Sequence, residues 1–161
     1  MTAAEYNLCV ENFADGVYRF ILKNIKDEDK AKDIIQETFE KMWVKLDTVD
    51  FTKSKSYLFT TAYHTMIDML RKDKRMTTFS DQVSAGLTHS NQYSDLNEVL
   101  HHAIENLPEA QKSVVLLRDY EGYSYEEISE ITGLNGAQVK VTLHRARLQL
   151  KEWLVSVENV L

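Results

Sequence analysis

The segment that most constrains this chain is residues 123–151, which reads as two helices joined by a short turn. Ser124, with a glutamate three residues later, forms a capping box that starts the first helix. Gly133 supplies the left-handed residue at which helices commonly end. Asn135, with a glutamine three residues later, can cap the second helix in the same reciprocal way. This pattern predicts a helix-turn-helix, whose second helix can enter a DNA major groove.

The second of these helices has an apolar stripe and a basic flank. The residues that recur at steps of four and three and should pack inward are Val139, Leu143, Ala146, Leu150 and Trp153. A glutamine in the first turns can pair with adenine, and an aliphatic side chain can touch a thymine methyl. The candidate DNA-binding residues are Asn135, Ala137, Gln138, Lys140, Val141, Thr142, His144, Arg145 and Arg147. A solvated, charged helix hairpin has the same pattern, and helical geometry alone does not separate the two interpretations.

Composition favours an all-helical protein. Hydrophobic residues make up 43% of the 161 residues, which is enough for a core, and the chain has one proline and five glycines. Alternating β-branched patterns of useful length are absent. The lone cysteine, Cys9, excludes an internal disulfide, fits a reducing cytoplasm and is expected to be buried. The sequence has no apolar run of membrane-spanning length, and its first residues lack a signal-peptide pattern, so we expect a cytoplasmic protein.

Charge is segregated along the chain. The net charge of −6 argues against non-specific binding to polyanions. Residues 136–152 and residues 71–75, however, each contain four Lys or Arg against one acid, whereas acids gather at 26–40 and 119–130. Two basic patches on an acidic body suit specific DNA binding, and they leave acidic faces for protein partners.

Periodicity divides the chain into two helical domains. We expect helices over about 5–25, from 27 into the forties and over 55–75, followed by a polar stretch without periodicity. The predicted units are therefore 1–75, a flexible linker at 76–98, and 99–161. The predicted core residues of the first two helices are Leu8, Phe13, Val17, Phe20, Ile21, Ile34, Ile35, Phe39, Met42, Trp43 and Leu46.

The sequence contains no recognisable catalytic set. His101 and His102 are neighbours that would point to different sides of a helix, and one cysteine is too few for a thiolate zinc site. A glycine-rich phosphate loop and a nucleophile elbow are also missing. We therefore expect no enzymatic activity, no cofactor and no metal.

The third helix combines aromatic and basic residues. Tyr57, Phe59 and Tyr63 precede the basic run at 71–75. Aromatic rings beside cations can hold unpaired bases. The same residues would also serve as core aromatics at a helix whose end favours cations, and the residues alone favour that simpler interpretation.

Read together, the two halves resemble a known family. The stretch from Leu107-Pro108 through residues 121–128 to Leu143-His144-Arg145-Ala146-Arg147 resembles region 4 of bacterial RNA polymerase sigma factors. The stretches at 33–43 and 57–72 look like region 2 of the same factors. With these two regions and a short linker, the chain resembles an extracytoplasmic-function (group IV) sigma factor.

The resemblance implies roles for particular residues. Region 2 would bind the clamp helices of the largest polymerase subunit through Asp33, Gln36, Glu37 and Phe39. The third helix would recognise the −10 promoter element and hold melted bases through Tyr57, Tyr63, His64, Asp68, Arg71, Lys72 and Arg75. Region 4 would read the −35 element and meet the polymerase flap. The resemblance also implies an anti-sigma factor as a partner.

The chain departs from the family at several recognition positions. Tyr63-His64 stands where relatives often have Arg-Asn, and Gln138, Val141 and Thr142 replace a frequent Thr, Ser and Arg. The family's promoter sequences therefore cannot be transferred to this chain. Two alternatives remain. One is a stand-alone helix-turn-helix regulator, which would need no region 2, and the other is a sigma-like polymerase adaptor without promoter activity.

Overall fold

A computed structural model describes residues 1–77 and 96–160, and its regular elements are all helices. The α-helices are α1 (Ala3–Ile25), α2 (Glu28–Val44), α3 (Ser54–Thr77), α4 (Leu96–Glu105), α5 (Glu109–Val115), α6 (Tyr125–Thr132) and α7 (Gly136–Val160). A 3-10 turn (Phe51–Lys53) precedes α3, and α5 continues into a π-helical turn (Leu116–Tyr120). The all-α prediction is confirmed. Most of the predicted linker, residues 78–95, lies outside the described residues.

The first bundle consists of α1, α2 and α3, which pack pairwise against each other. Local signals delimit its first two helices. Lys26 ends α1 in the left-handed conformation with φ 56°, and the Asp27 side chain then accepts a hydrogen bond from the Lys30 N–H to begin α2. The ammonium of Lys30 in turn lies 2.6 Å from Asp73, so that the start of α2 is tied to the end of α3.

Two predicted core residues of this bundle lie on the surface instead. Leu8 is 45% exposed and Trp43 is 53% exposed, where its ring meets Tyr6 edge-on. Trp43 follows the fully buried Met42, and one residue turns a helix by about 100°, which carries the indole out of the core. Cys9 is fully buried, as predicted.

The second bundle is built around α7, which packs against α4, α5 and α6. The predicted inward stripe of α7 is confirmed, with its first four members buried and Trp153 half-buried. The π-helical turn after α5 widens the helix before the chain reverses at Gly122, whose φ is +76°. None of the described helices combines the length and the apolar character that a membrane span requires.

The helix-turn-helix forms as the sequence predicts. Ser124 caps α6 with its capping box complete, and Gly133 ends the helix with φ +83°. The Asn135 side chain accepts from the Gln138 N–H at 2.8 Å, while the Gln138 side chain accepts from the Asn135 N–H at 2.9 Å. The turn between α6 and α7 is therefore held by reciprocal hydrogen bonds on both sides of Gly133.

The two bundles are in direct contact. Helix α3 packs against α6, and α1 packs against α5. The ring of Phe59 on α3 meets Tyr123 edge-on at a centroid distance of 5.2 Å. Helix α3 thus belongs to the core of the first bundle and also packs against α6 of the second bundle.

Two glycines near the turn provide a stability test. Replacing Gly133 with Ala should lower the free energy of unfolding by about 1–2 kcal/mol, because a Cβ disfavours the left-handed region by that amount. Gly136 at the start of α7 also leaves open space where an alanine methyl would lie, but its φ is not positive. Gly136→Ala should therefore be neutral or stabilising by up to about 1 kcal/mol. Urea unfolding followed by far-UV circular dichroism measures the free energy of unfolding of both variants. Equal changes in this free energy would contradict the requirement for a left-handed residue at Gly133.

Candidate nucleic-acid and polymerase-binding surfaces

The first turns of α7 present the predicted DNA-binding residues to solvent. Thr142 is half-buried, and the other eight are exposed: Asn135, Ala137, Gln138, Lys140, Val141, His144, Arg145 and Arg147. Val141 is 46% exposed on the side of α7 opposite the buried stripe. The apolar stripe fixes the helix on its own bundle, so the opposite face is free to enter a groove about 12 Å wide.

Two of the basic side chains on α7 have intramolecular neighbours. The Arg147 guanidinium lies 2.6 Å from the Asp119 carboxylate, and this hydrogen bond raises the arginine pKa. Lys140 lies 6.0 Å from the ring centroid of Tyr125, in a weak cation–π geometry. Lys140 is therefore the more available of the two for a phosphate, since Arg147 would have to exchange its carboxylate partner.

A groove between α2 and α3 brings together residues that were predicted to bind different partners, polymerase and the −10 element. It encloses about 550 Å³ and places Glu37 of α2 beside Tyr57, His64 and Asp68 of α3. The three α3 residues recur at steps of seven and four, which puts them on one helical face. A phenol ring, an imidazole and a carboxylate around one groove can stack on a base and hydrogen-bond its edges.

Several polar residues that were not predicted from the sequence also line this groove. Thr60, Thr61 and Thr65 contribute hydroxyl groups, and Lys41 donates to the Thr65 hydroxyl at 3.1 Å. The spacing of Thr61 and Thr65 from Tyr57, four and eight residues, is the signal that could have identified them. These hydroxyls add hydrogen-bonding capacity to the groove.

Tyr63 lies on a different face of α3 from Tyr57 and His64. Its side chain is 9% exposed and lines a second groove of about 300 Å³ with Arg71 and with Glu109 of α5. Burial raises the pKa of Tyr63, and the nearby Glu109 carboxylate raises it further. The structure therefore divides the predicted −10 residues between two faces, and the groove that Tyr63 lines is shared with Glu109 of the second bundle.

The basic end of α3 is accessible. Arg71, Lys72 and Arg75 are exposed, and Asp73 between them is bound to Lys30 of α2. This ion pair anchors the end of the helix to the first bundle. Cationic side chains on an anchored helix end can follow a nucleic-acid backbone.

The predicted polymerase-binding residues on α2 differ in accessibility. Asp33, Gln36 and Glu37 are exposed on one side of the helix. Phe39 is only 8% exposed and packs edge-on against Tyr6, whose hydroxyl donates to the Phe39 carbonyl at 3.0 Å. Phe39 therefore holds α2 in place, and the exposed polar residues form the surface that a partner can reach. No cluster of three or more potential metal-ligating side chains occurs within 1–77 and 96–160.

Both halves of the chain match models of a known protein family. The family model for sigma-70 region 2 matches residues 9–76, and that for sigma-70 region 4 matches residues 97–150. The chain is 33% identical over 147 residues to the RNA polymerase sigma factor SigV of Bacillus subtilis, covering 88% of this chain and 89% of SigV. It is also 33% identical to the ECF RNA polymerase sigma factor SigM of the same organism, covering 86% of this chain and 88% of SigM.

A solved structure gives the same assignment. The sigma factor RpoE from Bartonella quintana, solved in complex with the anti-sigma factor NepR, superposes with a TM-score of 0.78 at 26% identity. The match covers 92% of this chain and 96% of RpoE. The region 2 match disfavours a stand-alone helix-turn-helix regulator, because such a regulator would need only the second half. The chain therefore belongs to the sigma-70 family of RNA polymerase sigma factors, within the extracytoplasmic-function group.

Proposed function

We propose that this protein binds core RNA polymerase and directs it to specific promoters, with each bundle contributing a separate contact. The observation that supports this most strongly is that one chain carries an exposed recognition helix, α7, and a separate groove beside an exposed acidic helix, α2. A protein that only reads duplex DNA needs the surface of α7. A factor that also binds polymerase and melted DNA needs three surfaces: that of α7, the groove and that of α2.

In this proposal α7 reads the −35 duplex from the major groove. Gln138 and Val141 face base edges near the start of the helix, and Lys140, Arg145 and Arg147 neutralise phosphates. Contacts with phosphate determine position and affinity, while the base-facing residues determine sequence preference. The outer surface of the second bundle meets the polymerase flap.

The first bundle supplies the contacts for strand opening. Tyr57, His64 and Asp68 in the α2–α3 groove receive bases of the −10 element, and the basic end of α3 holds the strand. Asp33, Gln36 and Glu37 bind the clamp helices of the largest subunit. We propose that the protein works in the cytoplasm as a specificity subunit without an active site of its own. We also propose an anti-sigma factor as a partner, as RpoE has in its solved complex.

The polymerase contact is tested by charge reversal on α2. Asp33→Arg combined with Glu37→Arg should abolish co-elution with core polymerase, because two exposed acids become repulsive toward the same partner surface. Glu11→Arg combined with Asp15→Arg is the matched control, since these exposed acids of α1 have the same spacing and undergo the same charge change. Helical content measured by circular dichroism should be unchanged in both variants. Retention of core binding by the α2 variant would contradict the assignment.

The −35 contact is tested through its salt dependence. Lys140→Ala should weaken binding to a duplex selected by the wild-type protein from a random library. It should also reduce the slope of log affinity against log salt by roughly one unit, because about one phosphate contact is lost. Lys32→Ala, an exposed lysine on α2, changes the net charge equally. If the two variants have the same slope, α7 does not follow the phosphates as proposed.

A further inference from the structure

The charged side chains that line the α2–α3 groove include more acids than lysines. The acids are Glu37, Glu40 and Asp68, and the lysines are Lys41 and Lys45. The groove volume of about 550 Å³ is within the range of small-ligand sites. Carboxylates can accept hydrogen bonds from the amino groups of bases, but they repel the phosphate that every nucleotide carries. A nucleotide in this groove therefore needs a cation that meets its phosphate.

Lys41 is held in the groove by a contact with the opposite helix. Its ammonium donates to the Thr65 hydroxyl on α3 at 3.1 Å, and Thr65 is only 6% exposed. Thr65 follows His64 directly and precedes Asp68 by three residues, and both of these side chains line the groove. Residues three apart on a helix are neighbours on its surface. The anchored ammonium of Lys41 therefore lies close to the residues that would contact a base.

The ammonium of Lys41 can accept a further partner. Within residues 1–77 and 96–160 its contacts are the hydroxyl of Thr65 and the carboxylate of Glu37, which lies 3.4 Å away. These two contacts use two of the three N–H donors of a lysine. The Lys41 side chain is 48% exposed, so the third donor can reach an incoming phosphate. An exposed ion pair of this kind contributes little to stability, so the charge of Lys41 is not needed to hold the fold.

We propose that Lys41 is a further DNA-binding residue: its ammonium holds the phosphate of the nucleotide whose base enters the α2–α3 groove. Thr65 is a positioning residue that acts through Lys41, and Glu37 weakens the phosphate contact because it pairs with the same ammonium. The inference rests on the proposed function, because that function places bases of the melted strand in this groove. It adds a phosphate contact beside the base contacts that α3 provides.

The basic end of α3 is less suited to this phosphate. Arg71, Lys72 and Arg75 follow Thr65 by six to ten residues. With a rise of 1.5 Å per residue, their backbone atoms lie about 9–15 Å further along the helix than those of Thr65. These three residues can therefore contact other phosphates of the same strand, whereas Lys41 lies beside the nucleotide in the groove.

The phosphate contact is tested by the salt dependence of single-strand binding. Lys41→Met removes the charge and keeps most of the apolar part of the side chain. Fluorescence anisotropy measures the affinity of the protein, alone and in complex with core polymerase, for labelled single-stranded DNA of random sequence. The slope of log affinity against log salt should become shallower by about 0.7 unit, because one phosphate contact is lost. Equal slopes for wild type and Lys41→Met, or no binding of the strand by the wild-type protein in either form, would overturn the inference.

Two controls show where the contact is made. Lys32→Met removes the same charge from an exposed position of the same helix and should leave the slope unchanged. A strand of the same length that carries abasic sites has the phosphates but lacks the bases that would enter the groove. Lys41→Met should therefore leave the slope for the abasic strand unchanged. A change of the full size with the abasic strand would mean that Lys41 binds the backbone without a base in the groove, and the inference would be wrong.

The positioning role of Thr65 is tested in two backgrounds. Thr65→Val removes the hydroxyl and keeps the shape of the side chain, so it should weaken strand binding by the wild-type protein. It should have no further effect in the Lys41→Met background, because the ammonium that it positions is already absent. Thr65→Ser keeps the hydroxyl and should bind the strand as the wild type does. Equal weakening by Thr65→Val in both backgrounds would show a structural role that is independent of Lys41.

The role of Glu37 is tested by removing its charge. Glu37→Gln should tighten strand binding by up to about fivefold at low salt, because the acid that pairs with Lys41 is lost. Glu40→Gln makes the same charge change at an acid that lines the same groove, and it should have a smaller effect. Equal tightening by both variants would show general repulsion by the acids and would overturn the specific role of Glu37.

These outcomes separate the inference from the proposed function. If the wild-type protein directs promoter-specific transcription but Lys41→Met has the wild-type slope, the role of Lys41 is wrong and the proposed function stands. If Lys41→Met makes the slope of the protein alone shallower but the wild-type protein does not bind core polymerase, the proposed function fails although the phosphate contact is correct.

Discussion

The packing of α3 within the first bundle and against the second determines which surfaces this chain can present. On one side α3 packs with α1 and α2, and on another it packs with α6, where Phe59 meets Tyr123. A third side lines the groove with Tyr57, His64 and Asp68. Because α3 has packed neighbours or groove-lining residues on three sides, a shift of this helix would disturb all three sides together. The accessible groove, the buried Tyr63 and the docked second bundle are therefore consequences of the same packing.

The recognition helix depends less on this packing because its geometry is set locally. Capping boxes at Ser124 and Asn135, with Gly133 between them, determine the turn, and the apolar stripe of α7 determines its rotation. These features lie within 31 residues of sequence, from 123 to 153. The helix-turn-helix and its exposed residues could therefore be predicted from the sequence, and the structure confirms the geometry.

The arrangement of α3 could be predicted only in part. Helical periodicity places Tyr57, His64 and Asp68 on one face and Phe59 and Tyr63 on another, so that the separation of the two tyrosines was available from the sequence. The sequence did not show which face of α3 would meet the second bundle. The position of the second bundle depends on contacts such as the one between Asn24 and Ser113, which are 89 residues apart and belong to no local motif. The exposure of Trp43 was not predicted for a related reason. Periodicity indicates that a helix has an apolar stripe, but it does not show which residues at the edge of that stripe are buried.

We propose that both bundles act together to bring core polymerase to defined start sites. Run-off transcription with purified core polymerase across promoter fragments from the source genome measures this joint action. Discrete transcripts should appear from a subset of fragments, and core polymerase alone should not produce them. If the protein binds core polymerase but no fragment gives a transcript, the two bundles do not direct initiation, and the protein is instead a polymerase adaptor that has the sigma fold but lacks promoter activity.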